Sequence, residues 1–112
     1  MKIYAVMFFL SMASIWEMQI KNQLGKLALD LPLNELIEQQ CLKNGLQILA
    51  IETTHIYSLK NLPPHHNDPF DRLILVQAQT ENLTLITKVS EFVFSRIAVV
   101  HSWFPVLLAL TS

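Results

Sequence analysis

The chain has 112 residues, enough for one hydrophobic core and not two. Hydrophobic residues make up 52% and charged residues 15%, with 2 Gly and 5 Pro, which excludes a disordered or low-complexity chain. A formal net charge of -1 excludes a globally basic nucleic-acid coat but not a local basic patch, and the single Cys41 excludes an internal disulfide.

Residues 3–10 are a continuous apolar and aromatic run after Lys2. Such a run suits a strand buried on both faces, as in a central parallel strand. It also has the positive start of a secretory signal, but Ser11, Met12, Ala13 and Ser14 make a poor cleavage site. Next, Ser14-x-x-Glu17 has the form of a capping box, and Gly25 is placed to stop the helix in a left-handed conformation, which predicts a helix over 13–24. Lys21 and Lys26 read as a solvated helix end, where cations are favourable, before an RNA groove.

Asn34 is a candidate cap for a second helix through Leu36, Ile37, Gln40 and Cys41, closed by Asn44-Gly45. Residues 46–51 read as a short strand. Thr53 or Thr54 can cap a short helix through His55, Ile56 and Leu59, and Pro63-Pro64 breaks regular structure, leaving His65, His66 and Asn67 in a loop. Asp68-Pro69 is a strong helix start, because Asp accepts bonds from free backbone donors while Pro at the first position loses nothing; this helix is predicted to run to about Asn82.

Residues 83–87 form a compact predicted strand, 88–91 a turn, 92–96 a short helix and 97–100 a last strand, followed by an apolar tail. The stretch 97–110 is interrupted by His101 and Pro105 and is shorter than the ~20 residues a membrane span requires, so no membrane association is expected. Strands alternating with helices imply a parallel sheet covered on both faces. The lone cysteine agrees with a reducing compartment, and a cytoplasmic location is the expectation. Trp16, Trp103, Phe8, Phe9 and Phe92 could stack on bases, but their places in apolar runs favour core packing.

Three blocks carry a family resemblance. Ser14-Ile15-Trp16-Glu17 with Ile20-Lys21 and Leu24-Gly25-Lys26-Leu27 is similar to the second conserved block of VapC-type PIN-domain toxins. The run from Leu62-Pro63-Pro64-His65-His66-Asn67-Asp68-Pro69-Phe70-Asp71-Arg72 to Gln77-Ala78 resembles the third block, and Leu83-Thr84-Leu85-Ile86-Thr87 resembles the strand leading to the fourth. They stand in family order over roughly residues 3–103. The resemblance implies an α/β/α sandwich with a parallel sheet, here a single partial PIN domain over 1–112, without the family's first strand and helix. It also implies the toxin half of a type II toxin–antitoxin pair: a ribonuclease that uses Mg²⁺ or Mn²⁺, takes RNA as substrate, is held inactive by a cognate antitoxin, and forms a homodimer in some members.

Hard divalent cations prefer carboxylates and water, so acids must converge for such chemistry. By resemblance Glu17 and Asp71 are the catalytic and metal-binding candidates, with Asp68 a weaker metal candidate. Each also has a structural reading: Glu17 completes a capping box, Asp71 complements a helix dipole, and Asp68 caps a helix. His65 and His66 lack the wider ligand set of a zinc site. Arg72 could meet a phosphate or serve a salt bridge on the helix surface.

Two features depart from the pattern. The family's first strand carries an Asp with no counterpart here, and because that strand lies near the middle of the sheet, its absence is expected to leave unpaired backbone groups on two neighbours. In the fourth block Val89 stands where the family has an acid. The resemblance therefore admits two readings, a ribonuclease toxin with reduced or no activity and a non-catalytic degenerate PIN domain that only binds an antitoxin or another protein.

Overall fold

In the computed structural model of the chain, residues 6–63, 68–86, 98–99 and 107–111 are described. The elements are β1 (Val6–Ser11), α1 (Met12–Gln23), β2 (Ala28–Leu29), α2 (Leu33–Asn44), β3 (Gln47–Leu49), α3 (Thr53–Ser58) with a 3-10 turn (Leu59–Asn61), α4 (Pro69–Thr80), β4 (Thr84–Ile86), β5 (Ala98–Val99) and β6 (Leu107–Thr111). Four strands form a sheet in the order β3-β1-β6-β4, and β2 and β5 pair in a small antiparallel ribbon.

Alternation along β1 builds a layer on each face of the sheet, because successive side chains of a strand point to opposite sides. Leu10, with Phe8 beside it, packs with Met18 of α1, Leu33, Leu36 and Ile37 of α2, and Leu46. Phe9 and Leu49 belong to the other cluster, built on Ala13, Ile74 and Ala78 with α4. The parallel register Phe9↔Gln47, Leu10↔Ile48, Ser11↔Leu49 agrees with that division. The result is the expected mixed α/β fold, with helices on both faces of the sheet.

The three strands expected to share a direction do so, although only β1 and β3 are bonded to each other. Between β1 and β4 lies β6, antiparallel to both: Val6 to Leu10 pair with Thr111 to Leu107, and Thr84 to Ile86 with Ala109 to Leu107. This corrects two expectations. Part of the apolar tail is a strand, and the facing edges of β1 and β4 are paired rather than open. Of the strand expected at 97–100, Ala98 and Val99 are described and form β5, in the ribbon with β2.

Local chemistry explains the helix ends. Gly25 has φ +74, and the bonds Gly25 N–H to Asn22 O (3.1 Å) and Lys26 N–H to Lys21 O (2.8 Å) complete a Schellman ending for α1. Gly45 closes α2 in the left-handed conformation, as expected. The starts differ more from expectation. The cap of α1 is Ser11, whose hydroxyl accepts the Ala13 N–H at 3.0 Å. Ser14 lies inside the helix, so the capping box at Ser14 and Glu17 is not formed. Pro32, not Asn34, precedes α2, and Glu52, not either threonine, heads α3.

Asp68 caps α4 as expected, its Oδ1 accepting from Phe70 N (2.8 Å) and Asp71 N (3.2 Å). Asp68→Ala is accordingly expected to destabilise the fold by about 1 kcal/mol, measured by denaturant unfolding, with Asp68→Ser recovering most of the loss. Among the described residues no helix is long and apolar enough to cross a membrane. The turn at 88–91, the helix at 92–96, the loop histidines, Trp103 and Phe92 lie outside the described residues.

Candidate functional site

The junction of α1 and α4 brings together the helices that carry, or begin next to, the acids that the sequence singled out. Ala13 of α1 is fully buried in the cluster containing α4. Glu17 follows four residues later on the same helical face. Next to it, the Trp16 ring meets Phe70 of α4 edge-on, with centroids 5.0 Å apart and planes at 87°. That contact pins the helix position before Glu17 to the position before Asp71. Glu17 is half-buried, whereas Asp71 and Asp68 are exposed in and before the first turn of α4. Trp16 itself is 57% exposed, so it is a surface clasp between helices and not the core residue expected.

Glu17 does not serve the capping box expected of it, because α1 starts at Met12 and is capped by Ser11. For Asp68 the structural role stands, since its carboxylate is engaged by two backbone donors. Arg72 donates to Pro63 O at 3.0 Å and to Leu59 O at 3.2 Å. It fastens the segment before the third block to α4, a role the sequence did not suggest.

Beneath this junction runs a buried polar chain that no local pattern announces. Ser11 Oγ, the cap of α1, donates to Gln77 Oε1 of α4 at 2.5 Å, and Gln77 Nε2 donates to Ala50 O at 3.1 Å. Ser11 and Gln77 are both fully buried. One amide thus ties the start of α1, the middle of α4 and the exit of β3, fixing the relative placement of the two helices that carry Glu17 and Asp71. A second polar link joins α3 to the end of α4. His55, also fully buried, receives the Glu52 N–H on Nδ1 at 2.9 Å and places Nε2 2.9 Å from Glu81 Oε1. His55 takes the part that Glu or Gln usually plays three residues into a helix, which is why the expected threonine caps are not used.

A model of one protein family, the PIN domain, matches residues 3–99. The chain belongs to the PIN domain family. No match was found among curated proteins or among solved structures. PIN domains have a nuclease-like fold and typically act with divalent metal ions. Tested against that habit, this PIN domain's described residues do not make up a metal centre: among them no three His, Cys, Asp or Glu side chains gather. The side chain of valine at position 89, outside the described residues, has no oxygen to offer a cation.

A groove lies elsewhere among the described residues. About 840 Å³ in volume, it runs between α1 and α2 and is lined by Ile15, Trp16, Ile37, Cys41 and Ile48 among others. Neither Glu17 nor Asp71 lines it, and its walls are mainly apolar.

Proposed function

We propose that this PIN domain is the toxin-side member of a toxin–antitoxin pair, a ribonuclease by descent whose cleavage of RNA is weak or absent. One observation carries the reading: Trp16 and Phe70, the neighbours of Glu17 and Asp71 in sequence, touch across α1 and α4, while no three His, Cys, Asp or Glu side chains gather among the described residues. Two carboxylates can attract Mg²⁺ or Mn²⁺, since such ions keep much of their water. Cleavage further requires nucleophile and phosphate to be aligned, and small misplacements lower rates about a hundredfold.

The test is RNA cleavage by the purified chain with Mg²⁺ or Mn²⁺, with and without chelator. Residual cleavage should disappear with chelator and fall at least about tenfold in Glu17→Ala or Asp71→Ala, while Val89→Asp should raise it. Strong metal-dependent cleavage by the unaltered chain would show that fewer acids suffice.

The alternative is a PIN domain that only binds an antitoxin or another protein. It is favoured by the apolar groove, which exposed Trp16 and Ile48 line, because contiguous apolar surface is a feature of partner sites. Complex formation with an antitoxin without any chelator-sensitive cleavage would select it. A cytoplasmic location and a homodimer accompany either reading, and fractionation and light scattering test them.

A further inference from the structure

We propose that Asn44 is a site of spontaneous deamidation, held back in the folded chain by Gln40. Asn44 is the one asparagine of the chain that precedes a glycine. Glycine has no Cβ to shield its nitrogen, so its backbone admits close approach. At this pair the Gly45 nitrogen attacks the Asn44 Cγ and the Cγ–Nδ2 bond breaks. The Gly45 N–H proton passes through water to the departing nitrogen, and ammonia leaves a cyclic imide behind it. Water then adds to either imide carbonyl. Opening at Cγ gives aspartate, whereas opening at the main-chain carbonyl gives isoaspartate, which routes the main chain through Cγ.

Both reacting groups lie in the open, and both are tied to one residue. Asn44 and Gly45 are exposed, and a Cβ added at Gly45 would meet nothing, so water reaches the pair. Gln40, one turn earlier and 8% exposed, accepts the Asn44 Nδ2–H on its Oε1 at 2.6 Å and the Gly45 N–H on its backbone oxygen. Leu46 N–H adds a bond to the same backbone oxygen at 3.3 Å. Ring closure requires the Gly45 bond to break and the Asn44 amide to turn. Reaction therefore proceeds from an opened last turn of α2, and helix ends open at small cost in free energy.

The products act on the join between α2 and β3. Aspartate puts negative charge where the last carbonyls of α2 already concentrate it. Isoaspartate lengthens the main chain just ahead of Leu46, a buried residue of the core. That join connects Ile37 and Cys41 to Ile48, all of which line the apolar groove.

The experiment incubates the purified chain in neutral buffer, folded and in urea. Mass spectrometry of its peptides follows each asparagine for the change from amide to acid, and chromatography separates isoaspartate from aspartate. In the folded chain Asn44 should give both acids, ahead of the other asparagines and about 10–100-fold more slowly than in urea, a ratio set by closure of the helix end. Gln40→Met keeps the side chain's length without its acceptor and should raise the folded rate at least about threefold, whereas Gln40→Glu, which keeps an acceptor, should not. The proposal is overturned by no conversion at Asn44 in the folded chain once the urea sample has fully reacted, or by equal rates in the two samples. A Gln40→Met rate equal to the native one, or an equal rise in Gln40→Glu, overturns it as well. If Gln40→Met does not fold, the folded and unfolded rates of the native chain decide it alone.

Discussion

Replacing Gln77 by alanine should destabilise the chain by about 2–4 kcal/mol, among the larger effects of any single substitution outside the apolar core. The amide is fully buried and answers two groups: Ser11 Oγ loses its acceptor and Ala50 O loses its donor. Each unsatisfied buried group carries a penalty of about 1–3 kcal/mol, and the cavity adds to it. Ser11→Ala should act through the same chain and also remove the α1 cap, so the double substitution should be less damaging than the two singles added. Ser14→Ala is the contrasting control. Its hydroxyl is buried with no hydrogen-bond partner among the described residues, so removing it should be nearly neutral. Denaturant unfolding of the four variants measures all of this, and additive losses for Ser11 and Gln77 would refute the shared network.

Leu108→Pro should have an effect at least as large, more than about 3 kcal/mol, sufficient to abolish folding in a marginally stable domain. Residue 108 pairs with Phe9 on one side and Leu85 on the other. Proline there removes a ladder donor in the middle of the sheet, where it is normally excluded. Leu108→Val, which keeps the backbone donor and a strand-favouring side chain, should retain the fold. Circular dichroism and thermal melting separate the outcomes. A Leu108→Pro chain that melts like the native one would mean that β6 is not a central strand.

Sequence made some parts of this architecture legible and hid others for identifiable reasons. The end of α1 at Gly25, the end of α2 at Gly45 and the start of α4 at Asp68-Pro69 are decided within a few residues, by left-handed glycine or by capping, and they were readable. The start of α1 was not, because Ser14-x-x-Glu17 imitates a capping box while the actual cap, Ser11, is held by Gln77, 66 positions away. The heading of α3 was hidden because a histidine fills a place usually held by Glu or Gln. Neither side of β6 could be foreseen from its apolar run, since pairing partners are not written in the strand itself. At the candidate site, the identities of Glu17 and Asp71 came from resemblance. The helices that carry them are joined by Trp16 meeting Phe70, a contact that spacing along the chain does not encode.

The position of β6 also bears on how the chain is made. Leu10 pairs with Leu107, 97 positions further along, so β1 cannot acquire its second neighbour until nearly the whole described chain has been synthesised. At about 5–20 residues per second, the edge of β1 waits roughly 5–20 s on the ribosome with its backbone donors and acceptors exposed. Contacts this remote in sequence also slow folding after release, because the loop must be closed before the pairing rewards it. During that interval the apolar β1 edge is a template for pairing with other nascent chains. Recovery of native protein should therefore depend on chain concentration and on chaperones that shield strand edges, more than on the stability of the finished fold.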